Sequence, residues 1–238
     1  MPFKNCNLFF KHEQRSRKVI KAIIFDLDQT LLDRIGSLKR FLNWQINFLQ
    51  LVPNAQKQQF IQRFIELDAN GSIWKDVVYQ QLIIEFKITQ FSVAFLLDLY
   101  LHDFNRFCLA FEGVEHSIQQ LYQDGCQLAL VSNGRTPFQE HNFKALGLNE
   151  YFSTIIVSEA VGIRKPETAI FNLASQRLGV KPEQCIFIGD HEQADILGAK
   201  RAKMKTIFFN EDININSNYA DENLHHFSDL IAILKKIK

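Results

Sequence analysis

The chain has 238 residues, 47% of them hydrophobic and 22 of them phenylalanine, enough to bury one large core or a core with an insertion. Its 27 basic and 26 acidic residues nearly cancel, so no global positive field points to a nucleic acid or an anionic membrane. No apolar stretch approaches transmembrane length, and four scattered cysteines without a CxxC pair fit free thiols in a reducing, cytoplasmic setting better than a disulfide framework or a zinc site.

Residues 1–18 read as an N-terminal extension. Leu8-Phe9-Phe10 is too short for a signal h-region, and the basic residues Lys11, Arg15, Arg17 and Lys18 follow it rather than precede it. The apolar run 19–25 then reads as a buried parallel strand that stops abruptly at Asp26-Leu27-Asp28-Gln29-Thr30. Carboxylates at the carboxyl end of such a strand sit where ligands bind in open α/β sheets. On an extended backbone, positions i and i+2 point the same way, so Asp26 and Asp28 can face one substrate. A solvated acidic turn is the bland alternative.

After Asp33 the period becomes helical. Leu38, Phe41, Leu42, Ile46 and Leu49 form one stripe, and Phe60, Ile61, Phe64 and Ile65 form another beyond Pro53-Asn54. Gly71 breaks the pattern, a third helix is expected over 74–86 and a fourth over 91–107. Consecutive helices placed just after the first strand suggest a separate helical module whose stripes are its own core. Lys75, beside the break Asn70-Gly71-Ser72, is a candidate contact for a substrate's leaving group, although a lysine on a helix is most often simply solvated.

From Phe111 onward helices and strands alternate. Helices are expected at 114–123, 138–146, 167–178, 194–202 and 227–236, and strands at 127–131, 154–157, 185–188 and 206–209, which implies a parallel sheet covered on both faces. Gly147 and Gly179 fall where left-handed caps end helices. The strand Leu128–Val131 runs into Ser132-Asn133-Gly134, and Lys165 precedes Pro166, a residue suited to a first helical turn. The strand 185–188 ends at Gly189-Asp190, with Asp195 five residues on. Singly, Ser132 could be a turn serine, Lys165 a solvated lysine, and Asp190 and Asp195 helix caps. All these independent readings would have to hold together.

Asp26-x-Asp28, Ser132, Lys165, and Asp190 with Asp195 resemble, in this order, the motif set of the haloacid dehalogenase (HAD) superfamily, specifically its phosphatase-like members, from residue 19 to residue 209. The resemblance implies an α/β fold: a three-layer, Rossmann-like parallel-sheet core from 19–34 and 108–238, with an all-helical cap inserted at 35–107. It implies that Asp26 attacks phosphorus to form an aspartyl-phosphate, and that Asp28 protonates the leaving alkoxide and then activates water. Mg²⁺ would be held by Asp26, Asp190 and the backbone carbonyl of Asp28, with Asp195 holding metal-bound water or orienting a ligand. Lys165, the Ser132 hydroxyl and backbone N–H groups around Leu27 and Asn133 would meet the phosphoryl oxygens. A phosphate beside three ionised carboxylates totals about −5 against +2 from the ion, so Lys165 adds charge where it is needed.

Two positions depart from the common pattern: His191 stands where many relatives have Ser or Thr, and Ala194 where Asn is frequent. The expected partner is a small phosphorylated metabolite such as a nucleotide, a sugar phosphate or a phosphoglycolate-like acid. Alternatives on the same fold are a 2-haloacid dehalogenase, which needs neither a leaving-group acid nor a metal, a phosphonate hydrolase with Lys75 as its Schiff base, and a phosphosugar mutase. A catalytically silent binding protein is the reading from another class. The sequence carries no signal for oligomeric state.

Overall fold

The computed structural model describes residues 20–237, so the expected extension 1–18 lies outside the described residues. The chain divides into two compact units, Arg34–Leu109 and the segments flanking it.

The unit Arg34–Leu109 is helical: α1 (Arg34–Leu49), α2 (Lys57–Asp68), α3 (Lys75–Glu85) and α4 (Val93–Asp103). Its core is the predicted stripes. Leu38, Phe41, Leu42 and Ile46 of α1 and Phe60, Ile61 and Phe64 of α2 are buried, and Phe41 meets Tyr100 edge-on at 5.5 Å. Tyr79 is fully buried and donates its hydroxyl to Gln45 Oε1 at 2.9 Å, which satisfies both side chains. The fourth helix begins later than expected because Ser92 Oγ accepts the Phe95 N–H at 3.2 Å, a standard N-cap. Its last turn tightens into a 3₁₀ segment, Phe104–Phe107.

Among the described residues the flanking unit contains six strands: β1 (Ala22–Phe25), β2 (Gln127–Ser132), β3 (Thr154–Val157), β4 (Cys185–Gly189), β5 (Lys205–Phe209) and β6 (Glu222–Leu224). They form one parallel sheet in the order β3-β2-β1-β4-β5-β6. The helices are α5 (Val114–Gln123), α6 (Phe138–Ala145), α7 (Ser158–Val161), α8 (Thr168–Arg177), α9 (Gly198–Arg201) and α10 (Leu230–Leu234). Successive strand residues point to opposite faces. Ala22, Ile24, Ala129, Val131, Cys185 and Phe187 pack on one face against Ile170, Phe171 and Ala174 of α8 and Ala199 of α9. The strands are buried along nearly their whole length, as expected of a parallel sheet covered on both sides.

Several local expectations shift. The predicted helix 194–202 is instead a π-helical turn, Glu192–Leu197, running into the short α9. Pro166 lies outside α8, whose N-cap is Glu167, so it does not occupy the first helical turn. β6 and α7 were not anticipated, since Glu222-Asn223-Leu224 and Ser158–Val161 are too short to carry a period. Gly147 and Gly179 both take positive φ, +72° and +67°, after α6 and α8 as expected. Cys108 and Cys185 are free thiols. Cys126, however, is disulfide-bonded. The expectation of scattered thiols fails there because spacing along a chain does not reveal which sulfurs meet in space.

Candidate active site

The register of the sheet gathers the motif residues. Phe25 pairs with Leu130 of β2 and with Ile188 of β4, so Asp26, Ser132 and Asp190 all emerge within two residues of one another in register, at the carboxyl edge. β1 sits between β2 and β4 in the centre of the sheet, where connections run to opposite sides and ligands bind in such folds. The strand itself ends at Phe25, so the alternation expected for Asp26 and Asp28 on an extended backbone does not apply. Instead the chain folds into a turn in which Leu27 O accepts the N–H groups of Thr30, Leu31 and Leu32 at 3.2, 3.0 and 2.9 Å. Leu27 is fully buried as the pivot of that turn.

Lys165 is 3% exposed and reaches two carboxylates at once, Asp26 Oδ1 at 2.5 Å and Asp195 Oδ1 at 2.7 Å. Its position is fixed through its main chain. Asn133 Nδ2 donates to Lys165 O and Lys165 N–H donates to Asn133 Oδ1, both at 2.9 Å, so one side-chain amide mimics a strand partner. The ammonium also lies 5.5 Å from the Phe187 ring centroid, against its face. Asp195 is held by the π-helical turn: its Oδ2 accepts the His191 N–H at 3.0 Å, which turns Oδ1 toward Lys165. The exposed His191 in turn accepts the Ala194 N–H through Nδ1 at 3.2 Å. That is the work a Ser or Thr does at an N-cap, so the departure from the common pattern retains the local hydrogen bond.

Two glycines make the approach possible. A Cβ on Gly189 would come within 2.6 Å of Asp195 Cγ, and one on Gly134 would come within 2.5 Å of Gln139 Cγ. Gln139, at the start of α6, is a site residue that sequence reasoning missed. Its Nε2 donates to Asp28 Oδ2 at 2.6 Å and to Ser132 Oγ at 3.0 Å. Asn142, one turn on, donates to Gln139 Oε1 at 3.4 Å. The available signal was its place in the first turn of the helix that follows the Ser132 strand.

Carboxylate oxygens of Asp26, Asp190 and Asp195 lie within 4.8 Å of one another. Burial, countered by Lys165 and reinforced by Asp195, raises the Asp26 carboxyl to about 7. Burial, with Asp26 and Asp195 adding repulsion, pushes Asp190 well above the usual carboxylate range. Burial alone would depress Lys165, but Asp195 and Asp26 outweigh it and hold the ammonium above its ordinary pKa. Once all three carboxylates are ionised, one ammonium leaves two negative charges unmatched. An all-oxygen donor set with that deficit fits a hard divalent cation.

Lys75 belongs to the helical unit. It is 2% exposed, ion-paired to Asp68, and its Nζ donates to Ile73 O at 3.1 Å. Arg34 forks onto the same Asp68 carboxylate at 2.7 and 2.8 Å. Among the described residues no helix is long and apolar enough to cross a membrane.

Residues 23–209 match the haloacid dehalogenase-like hydrolase family. The chain is similar to glyceraldehyde 3-phosphate phosphatase from Methanothermobacter thermautotrophicus, 28% identical over 82% of this chain and 88% of that one. It is similar also to phosphoglycolate phosphatase from Yersinia pestis, at 26% identity over 91% and 94%. Among solved structures, the HAD-hydrolase YfnB from Bacillus subtilis, bound to magnesium, superposes with a TM-score of 0.75 at 25% identity, covering 91% of this chain and 99% of that one.

Proposed function

Because the chain belongs to the haloacid dehalogenase-like hydrolases, we propose that it is a Mg²⁺-dependent phosphatase of small phosphate monoesters, acting through an aspartyl-phosphate on Asp26. What carries this reading is the ammonium of Lys165 bridging Asp26 and Asp195 beside Asp190. A buried carboxylate so placed can meet a dianionic ester only if its own charge is screened, and Lys165 screens it.

In the first half-reaction an oxygen of Asp26 bonds to phosphorus as the P–O ester bond breaks, and Asp28 gives its proton to the departing alkoxide. In the second, Asp28 takes a proton from water as the water oxygen bonds to phosphorus and the P–O bond to Asp26 breaks, releasing inorganic phosphate and the free carboxylate. Ser132 and Lys165, with the backbone N–H groups of Leu27 and Asn133, meet the charge on the phosphoryl oxygens. Mg²⁺ held by Asp26, Asp190 and the Asp28 carbonyl, with Asp195 nearby, would supply further positive charge against those oxygens.

Phosphorylated two- and three-carbon acids and aldehydes are the first substrates to test, since the relatives named above act on such compounds by name. A 2-haloacid dehalogenase from Pseudomonas syringae also shares the fold, at a TM-score of 0.57 and 25% identity. Dehalogenation has no use for a leaving-group acid, and Asp28 with its Gln139 hydrogen bond speaks against it.

The test is hydrolysis of p-nitrophenyl phosphate and of the small acid phosphates with and without Mg²⁺. Turnover that requires the metal and falls at least about 1,000-fold in Asp26→Asn is the expected result. Halide release from a haloacid without added metal would sink it.

A further inference from the structure

We propose that Gln139 is a positioning residue that aims both Asp28 and Ser132. The inference rests on the phosphatase reading, in which Asp28 is the general acid and base. Asp28 sits on a half-exposed turn, and its carboxyl accepts a hydrogen bond from outside its own segment. Gln139 supplies the constraint from 111 residues away. Its side chain is 4% exposed, and the two hydrogens of one amide nitrogen serve Asp28 Oδ2 at 2.6 Å and Ser132 Oγ at 3.0 Å.

Each bond has a chemical consequence. With Oδ2 occupied by a donor, proton traffic to the leaving group and from water falls to Oδ1 of Asp28. Because Ser132 Oγ accepts from Gln139, the serine's own hydrogen is turned away from the amide and left to donate to a phosphoryl oxygen. One residue therefore sets the direction of the acid and of the hydroxyl together.

Asn142 Nδ2 donates to Gln139 Oε1 at 3.4 Å, in keeping with a carbonyl end toward Asn142 and a nitrogen end toward the site. Gly134 leaves the space, since a Cβ there would stand 2.7 Å from Gln139 Nε2. The main chain of Gln139 is held as well, its N–H donating to Arg135 O at 3.0 Å in the first turn of α6. Displacements of about 1 Å in a catalytic group cost on the order of a hundredfold in rate, so a buried, doubly anchored donor sets turnover through the groups it aims.

The test compares two esters of similar shape whose leaving groups differ in basicity, p-nitrophenyl phosphate and phenyl phosphate. The nitrophenolate departs readily without a proton, whereas phenolate benefits from one. kcat/KM reports the steps through release of the phenol and excludes hydrolysis of the intermediate. Gln139→Met keeps the side chain's length and loses the donor. It is expected to lower kcat/KM for phenyl phosphate about 10- to 100-fold, and for p-nitrophenyl phosphate less than about 5-fold, the loss common to both esters reporting Ser132 and the excess on phenyl phosphate reporting Asp28, with the circular dichroism spectrum and Mg²⁺ affinity of the wild type. Asn142→Leu, which frees the amide to rotate, should give the same pattern more weakly, and serves if the first variant does not fold. Equal losses on both esters, or none, would overturn the proposal while leaving the phosphatase reading intact. Wild-type protein that hydrolyses neither ester would overturn that reading, and the proposal with it.

Discussion

Gly189 and Asp195 are separated by six positions in sequence, yet the absence of a side chain at the first is what admits the carboxylate of the second. Asp195 has two tasks, accepting the His191 N–H and pairing with Lys165, and neither survives a sideways shift. Gly189→Ala should therefore cost about 1–3 kcal/mol of stability by overpacking, read from urea midpoints, and lower kcat more than 10-fold by displacing Lys165's partner. Stability and turnover unchanged from wild type would show that Asp195 can move aside. The acidic motif residues were legible because carboxylates at the ends of apolar strands are hard to explain by packing. Gln139 was not legible, since a glutamine in a helix's first turn looks like any solvated residue until the fold brings Asp28 to it.

Among elements, the helices of the 34–109 unit were readable from their stripes, while the ends of α4 depended on a serine cap and a 3₁₀ turn that periodicity does not encode. The π-helical turn was invisible for a similar reason: its cause is a hydrogen-bond pattern around His191 O, not a spacing of apolar residues. Asp68, at the end of α2, ties three elements. It accepts from Arg34 of α1, pairs with Lys75 of α3 and caps the following turn through the Gly71 N–H at 2.9 Å. Removing the charge takes the shared carboxylate from two buried cations, and breaking such a network by one partner costs about 3–5 kcal/mol. Asp68→Asn should therefore lower the unfolding free energy by that amount, read from urea unfolding curves. A loss below about 1 kcal/mol would mean that Arg34 and Lys75 find other partners.

At the scale of the molecule, alternating helices and strands predicted a parallel sheet, but chain order alone did not reveal that β1 lies between β2 and β4. That lateral order makes three distant segments a single acidic centre, and it carries a thermodynamic signature. Burial raises Asp26 to about 7, above its ordinary 3.8. A carboxyl whose folded pKa is raised stabilises the fold at low pH and loses that contribution as pH climbs from about 4 through 7. A divalent cation favours the ionised form and reverses the loss. Mg²⁺ at 100 times its Kd should add about 2.7 kcal/mol, or roughly 5–10 °C in Tm for a chain of this size, with a larger gain at pH 8 than at pH 5. Asp190→Asn should abolish most of that gain. A shift equal at both pH values, or retained in the variant, would place the ion elsewhere. Finally, the tip of β2 carries three consecutive residues with three separate attachments: Ser132 to Gln139, Asn133 to the main chain of Lys165, and Gly134 to Ser158. A tilt of that short tip by a fraction of an ångström would detune acid, hydroxyl and ammonium in concert, so neighbouring substitutions there should compound rather than add.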